Sequence, residues 1–152
     1  SLFAAATKVG SILSNKENKI KDALEFYGKN LGLTFQIADD TLDYNSELKL
    51  FGKEIGNDFY EGKVTLPIIL LYQKSNEDEK KKLKELFKKK DRSAEEFKSI
   101  LFMIKKYNII FECYRKAEHF INLASNSLSI FNESKEKDML QGLTSFSLER
   151  TF

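Results

Sequence analysis

Apolar side chains recur at spacings of three and four along nearly the whole of this 152-residue chain, and a single proline interrupts them. That period gathers side chains on one face of a helix, whereas a half-buried strand needs strict alternation, which is scarce here. Ile20, Leu24, Tyr27, Leu31, Phe35, Ala38 and Leu42 follow one such stripe and predict a long helix from about Asn18 to Tyr44. Gly28 and Gly32 lie inside it. Each costs up to about 1 kcal/mol relative to Ala, and glycines one turn apart are tolerated most easily where another helix packs closely. Helix resumes at "KVTLPIILLYQK", with Pro67 admissible in the first turn. "SNEDEKKKLKELFKKK" begins with acids and ends with lysines, as the helix dipole prefers. Ser93 with Glu96 forms a capping box that opens "AEEFKSILFMIKKY". A further helix is expected from about Ile109 to Phe131, and a last one after Ser134. The fold expected is all-α, one domain over residues 1–152, with no internal repeat or low-complexity linker.

Composition narrows the function classes. Apolar residues at 41% and charged residues at 32% give a globular balance. A formal charge of +2 argues against a nucleic-acid binder built on a strongly basic surface. No apolar run approaches the roughly 18 residues needed to span a bilayer, so a cytoplasmic protein without a transmembrane segment is expected. The lysine run near residue 81 reads as a solvated helix face. Cys113, the one cysteine, permits no internal disulfide and lies in an apolar stripe, as a small core residue would. The opening "SLFAAATKVG" lacks an initiator Met, a positive n-region and a cleavage site, so it reads as a helix entered partway along. The expectation is a chain cut from something longer.

The stretch "FQIADDTLDY" sets Asp39, Asp40 and Asp43 within five residues near the C-terminal end of the long helix. On a helix Asp39 and Asp43 share a face, and Gln36, Asp40 and Asp43 line one edge. The helix dipole is negative at that end, so the position is unfavourable for carboxylates unless a cation completes it. Mg²⁺ accepts a few carboxylates, keeps several waters and often takes its remaining ligands from substrate phosphates. The following segment, residues 45–62, carries Gly52, Gly56 and Gly62 and reads as irregular. Within it Lys53 follows Gly52, Lys63 follows Gly62, and Asp58 adds an acid. Acids, then glycine-flanked lysines, suit a metal-bridged diphosphate; solvated acids at a helix end are the competing reading. A calcium loop starting at Asp43 would put Leu48 where the sharp turn requires glycine. His119 is the only histidine, so no His-rich metal site exists, and neither a G-x-S-x-G elbow nor a P-loop occurs.

These residues resemble the all-trans polyprenyl diphosphate synthase family, nearest its octaprenyl and solanesyl members. The family pattern F-Q-x-x-D-D-x-x-D is met by Phe35, Gln36, Asp39, Asp40 and Asp43. The pattern G-K-x-x-G-x-D-x-x-E-G-K-x-T-x-P is met by Gly52, Lys53, Gly56, Asp58, Glu61, Gly62, Lys63, Thr65 and Pro67. "SLFAAA" is similar to the family's helix after its Lys-Thr pair, and Arg150 stands where its C-terminal arginine is expected.

The resemblance implies an isoprenoid-synthase helical bundle, a homodimer, and condensation of an allylic diphosphate with isopentenyl diphosphate, releasing pyrophosphate. It implies that Asp39, Asp40 and Asp43 hold Mg²⁺ against the allylic diphosphate. Lys53 and Lys63 would contact that diphosphate, and Gln36 would line the site near the reacting carbons. The family's first aspartate-rich motif is not in this sequence, so the resemblance covers the C-terminal half of the bundle. Little activity is therefore expected of the chain alone. The alternatives are a non-catalytic subunit that pairs with a complete synthase, and a helical scaffold whose acids are merely solvated.

Overall fold

The computed structural model describes residues 2–45 and 55–149, and among these the regular elements are helical. They are α1 (Leu2–Leu13), α2 (Asn18–Leu42), α3 (Asn57–Glu61) and α4 (Leu66–Lys74), then α5 (Glu77–Lys88), α6 (Ala94–Lys106), α7 (Ile109–Ser127) and α8 (Lys135–Glu149). A 3-10 turn, Leu128–Ile130, follows α7. The chain divides into two compact units: Ser1–Ala38 with Tyr114–Phe152, and Asp39–Cys113. Helices α2 and α7 contribute residues to both.

In the first unit α1 crosses α2 at Gly28. A Cβ there would lie 2.2 Å from Thr7 Oγ1 and 2.4 Å from the Phe3 carbonyl, so only glycine admits this approach. Thr7 Oγ1 donates to the Leu24 carbonyl at 2.6 Å, tying the two backbones at the crossing. The Phe3 ring then reaches Gly32 and packs on Phe35, centroids 5.5 Å apart. The close helix contact expected at these two glycines is thus present. Tyr27, Leu31, Ile121, Ala124 and Leu128 form the core of this unit, with Leu24, Phe131 and Leu140 packed around them. Burial of each large apolar side chain is worth about 1.5–3 kcal/mol, which outweighs the glycine cost in α2. Inside the core the Tyr27 hydroxyl donates to the Leu140 carbonyl at 2.7 Å.

The second unit holds the end of α2, helices α3 to α6 and the start of α7. Phe59 is fully buried, 5.2 Å from the Phe97 ring and 5.9 Å from Phe87, centroid to centroid. Leu71, Ile100, Ile104, Ile109 and Cys113 are buried with it, and α4 packs against α5 and α6. Reciprocal capping boxes start both α5, through Asn76 and Glu79, and α6, through Ser93 and Glu96. Pro67 sits in the first turn of α4, where its missing N–H costs nothing.

Three boundaries differ from the sequence expectation. Helix α2 stops at Leu42, two residues early, where Tyr44 N–H closes a tight turn onto the Thr41 carbonyl. Helix α7 stops at Ser127, whose hydroxyl donates to the Ala124 carbonyl as the chain tightens into the 3-10 turn. The segment expected to be irregular contains α3. Gly56 (φ 93°) before α3 and Gly62 (φ 75°) after it adopt left-handed backbone, which delimits the element.

Candidate functional site

Asp39 and Asp40 occupy the last turn of α2, Asp39 exposed and Asp40 half-buried. Both are oxygen donors at the end of a helix whose carbonyl dipoles point their negative pole the same way. Gln36 is exposed one turn earlier on α2, within the first unit. Lys53, with the Gly52 that precedes it, lies outside the described residues.

Asp43 has a defined role. Its Oδ1 accepts the backbone N–H groups of Gly56 and Asn57, each at 3.1 Å, and its Oδ2 accepts that of Asp58 at 2.8 Å. The Gly56 N–H also reaches the Asp43 carbonyl at 2.9 Å. Asp43 therefore supplies, from thirteen to fifteen residues upstream, the anionic acceptor that the first N–H groups of α3 require. Among the described residues no three His, Cys, Asp or Glu side chains stand together as a metal-holding group. Helix α2 ends before Asp43, and the Asp43 carboxylate turns to the N-terminus of α3.

Lys63 follows α3 directly. Its N–H donates to the Asp58 carbonyl at 2.8 Å, and its exposed ammonium stands 3.2 Å from Asp58 Oδ1 and 2.6 Å from Glu61 Oε2. The hydrogen bond to Glu61 first, and that to Asp58 next, hold the Lys63 ammonium above its ordinary pKa. It is a fixed positive charge near neutrality, suited to meeting an anion and not to accepting a proton. Tyr44 is buried between these groups: burial, then the charges of Asp43, Asp58 and Asp40, push its phenol up. The Thr65 hydroxyl works against that rise, although neither it nor the Tyr44 hydroxyl completes a hydrogen bond of good geometry among the described residues. His119 is exposed and edge-on to Phe120, and it belongs to the first unit.

The donor set fits a hard divalent cation. Two adjacent carboxylates without a closed three-ligand cage match the way Mg²⁺ is bound, by one or two carboxylates with waters and substrate phosphate oxygens completing the octahedron.

The polyprenyl synthetase family pattern matches residues 1–104. The chain belongs to the polyprenyl synthetase family. A short chain isoprenyl diphosphate synthase from Methanothermobacter thermautotrophicus is 31% identical over 149 residues, which are 98% of this chain and 45% of that protein. Octaprenyl diphosphate synthase from Haemophilus influenzae is 27% identical over 99% of this chain and 46% of its own length. Among solved structures, decaprenyl diphosphate synthase from Rhodobacter capsulatus superposes with a TM-score of 0.91 at 30% identity, over 99% of this chain and 46% of that one. A polyprenyl synthase from Caulobacter crescentus CB15, complexed with calcium and isoprenyl diphosphate, gives 0.88 at 30% identity with the same coverage. This polyprenyl synthetase chain therefore spans a little under half the length of the relatives it matches. Its all-helical architecture is that of the family. No described helix is long and apolar enough to cross a membrane.

Proposed function

We propose that this chain carries the diphosphate-binding half of a Mg²⁺-dependent trans-prenyltransferase site. The reaction of the whole site is the head-to-tail condensation of an allylic diphosphate with isopentenyl diphosphate, releasing pyrophosphate, in the cytoplasm of a homodimeric enzyme. The observation that carries this reading is the pair of bonds joining the acidic end of α2 to the lysine turn: Asp43 to the Asp58 N–H, and Asp58 to the Lys63 ammonium. Two stretches well apart in sequence, at Asp43 and at Asp58–Lys63, are thereby brought to one place.

Asp39 and Asp40 would hold the Mg²⁺, which when bound offsets the charge of the diphosphate oxygens. The chain's own contribution is positional. Lys63 offers an ammonium with three N–H donors, of which Asp58 and Glu61 engage two, where negative charge grows as the allylic carbon–oxygen bond breaks. Lys53 is proposed to act beside it, and Gln36 to line the site near the reacting carbons. Asp58 and Glu61 keep two of these donors, and the third is left for a diphosphate oxygen.

A second reading, a binding subunit that pairs with a complete synthase, draws on the same coverage of less than half of each relative. A protection experiment tests the common core of both. Lys63 should be shielded from acetylation by Mg²⁺ with inorganic pyrophosphate, while Lys81 and Lys82, exposed on α5, react at an unchanged rate. Equal reactivity of Lys63 with and without Mg²⁺-pyrophosphate would contradict the reading.

A further inference from the structure

Helix α3 has five residues, too few to persist on its own hydrogen bonds, so its place is set by what grips it. Two side chains do so, one at each end. The Asp43 carboxylate takes the N–H groups of Gly56, Asn57 and Asp58 at the N-terminus. At the other end stands Arg92, from the connection between α5 and α6. Its Nη1 donates to the Tyr60 carbonyl at 3.3 Å and its Nη2 to the Phe87 carbonyl at 3.0 Å. The guanidinium lies 5.9 Å from the Phe59 ring centroid and 5.3 Å from that of Phe87. It also fills the space beside Gly62, where a Cβ would come within 2.7 Å of Nη2. An anion at the N-terminus and a cation at the C-terminus both match the helix dipole. Lys63 is the residue that leaves this grip.

We propose that Asp43 and Arg92 are positioning residues for Lys63: together they fix α3 so that its following ammonium meets the diphosphate, and Asp43 serves this clamp in place of the metal. The proposal rests on the reading of the site given above. Three N–H groups already engage the Asp43 carboxylate, and Arg92 lies well beyond the motif run that ends at Pro67.

The test compares Asp43→Ala and Arg92→Lys with Asp39→Asn in the intact chain. Without ligand, acetylation of Lys63 is measured against that of exposed Lys81. Both clamp variants should raise the Lys63-to-Lys81 ratio by about threefold, because an ammonium less firmly held by Glu61 and Asp58 gives up its proton more readily, and Asp39→Asn should leave it unchanged. Calorimetry with inorganic pyrophosphate then separates clamp from ligand. At saturating Mg²⁺ the clamp variants should bind pyrophosphate about tenfold more weakly, as for one misplaced charge-assisted contact, with the Mg²⁺ midpoint unmoved. Asp39→Asn should move that midpoint. A Mg²⁺ midpoint shifted by Asp43→Ala, or an unchanged Lys63 ratio in Arg92→Lys, overturns the proposal. Arg92→Lys keeps charge and most of the volume, so it decides the matter if Asp43→Ala fails to fold. Absence of pyrophosphate binding to the unsubstituted chain would instead refute the site reading, while the ligand-free ratio still decides whether the clamp places Lys63.

Discussion

The Asp58 amide donates to Asp43 Oδ2 across 2.8 Å, and this bond joins the acidic end of α2 to the helix that presents Lys63. The Gly56 N–H to Asp43 carbonyl bond lies beside it. The turn that carries Lys63 is thereby tied to the acidic end of α2 through Asp58.

Gly56 is the residue in this arrangement least open to change. Its φ of 93° is left-handed, and a Cβ would lie 2.7 Å from the Phe97 ring. The left-handed backbone alone costs a non-glycine residue about 1–2 kcal/mol. Gly56→Ala should therefore lower stability by at least about 2 kcal/mol, read from the urea midpoint at constant slope. A loss below about 0.5 kcal/mol, the range of an indifferent surface change, would contradict the geometry.

Two buried tyrosines should respond oppositely to loss of the hydroxyl. Tyr27 donates to Leu140, so Tyr27→Phe leaves a carbonyl unsatisfied and should cost about 1–2 kcal/mol. The Tyr44 hydroxyl meets Thr65 Oγ1 without completing a hydrogen bond of good geometry among the described residues, so Tyr44→Phe removes a poorly satisfied buried group and should be neutral or stabilising by up to about 1 kcal/mol. Thermal unfolding of the two variants, side by side, checks this contrast. Equal losses would contradict it.

Glu79 gives the chain an acid-sensitive contact. Hydrogen bonds from Lys106, from Tyr107 at 2.5 Å and from the Asn76 N–H hold its carboxyl down to about 2, against an ordinary value of 4.5. A depressed carboxyl favours the folded state fully above its unfolded pKa, and that contribution fades as pH falls from about 4.5 towards 2. Glu79→Gln can keep the capping box with Asn76 while losing the charge. Its Tm should lie below that of the unsubstituted chain at pH 7, and the two should converge near the bottom of that window. A gap that stays constant down to acid pH would mean that the charge is not what Glu79 contributes.

Lys63→Met keeps the alkyl stem and removes the ammonium. Affinity for Mg²⁺-pyrophosphate should fall by about tenfold or more, the worth of one charge-assisted contact, with little change in Tm because the Lys63 side chain is exposed. Equilibrium dialysis with labelled pyrophosphate reads the first quantity and differential scanning fluorimetry the second.

The long helices were readable because their specification is local. Ile20, Leu24, Tyr27 and Leu31 repeat at helical spacing, and the face they mark contains Tyr27 and Leu31 of the core. Ser93 with Glu96 announced the start of α6, and Asn76 with Glu79 shows the same spacing and makes the same reciprocal bonds. Helix α3 has no such signal. Five residues carry no period, and its cap comes from Asp43, thirteen to fifteen residues upstream. Helical spacing extended through Asp43 placed all three carboxylates on one element, whereas the turn after Leu42 gives the third a different partner. Arg92 is invisible to any local rule, since its contacts with Phe59, Tyr60 and Phe87 arise only when the unit folds. The motif singles out the acids and Lys63; the bonds that join them through Asp43 and Asp58 are visible only in the structure.

The measurement that most directly tests this account is calorimetric titration of the chain with Mg²⁺ and an allylic diphosphate, beside the Asp39→Asn, Asp40→Asn double variant. The account predicts binding that requires Mg²⁺ and is lost in the double variant, whose Tm stays near that of the unsubstituted chain. Binding that is indifferent to both metal and the two substitutions, or no binding by the unsubstituted chain, would contradict it.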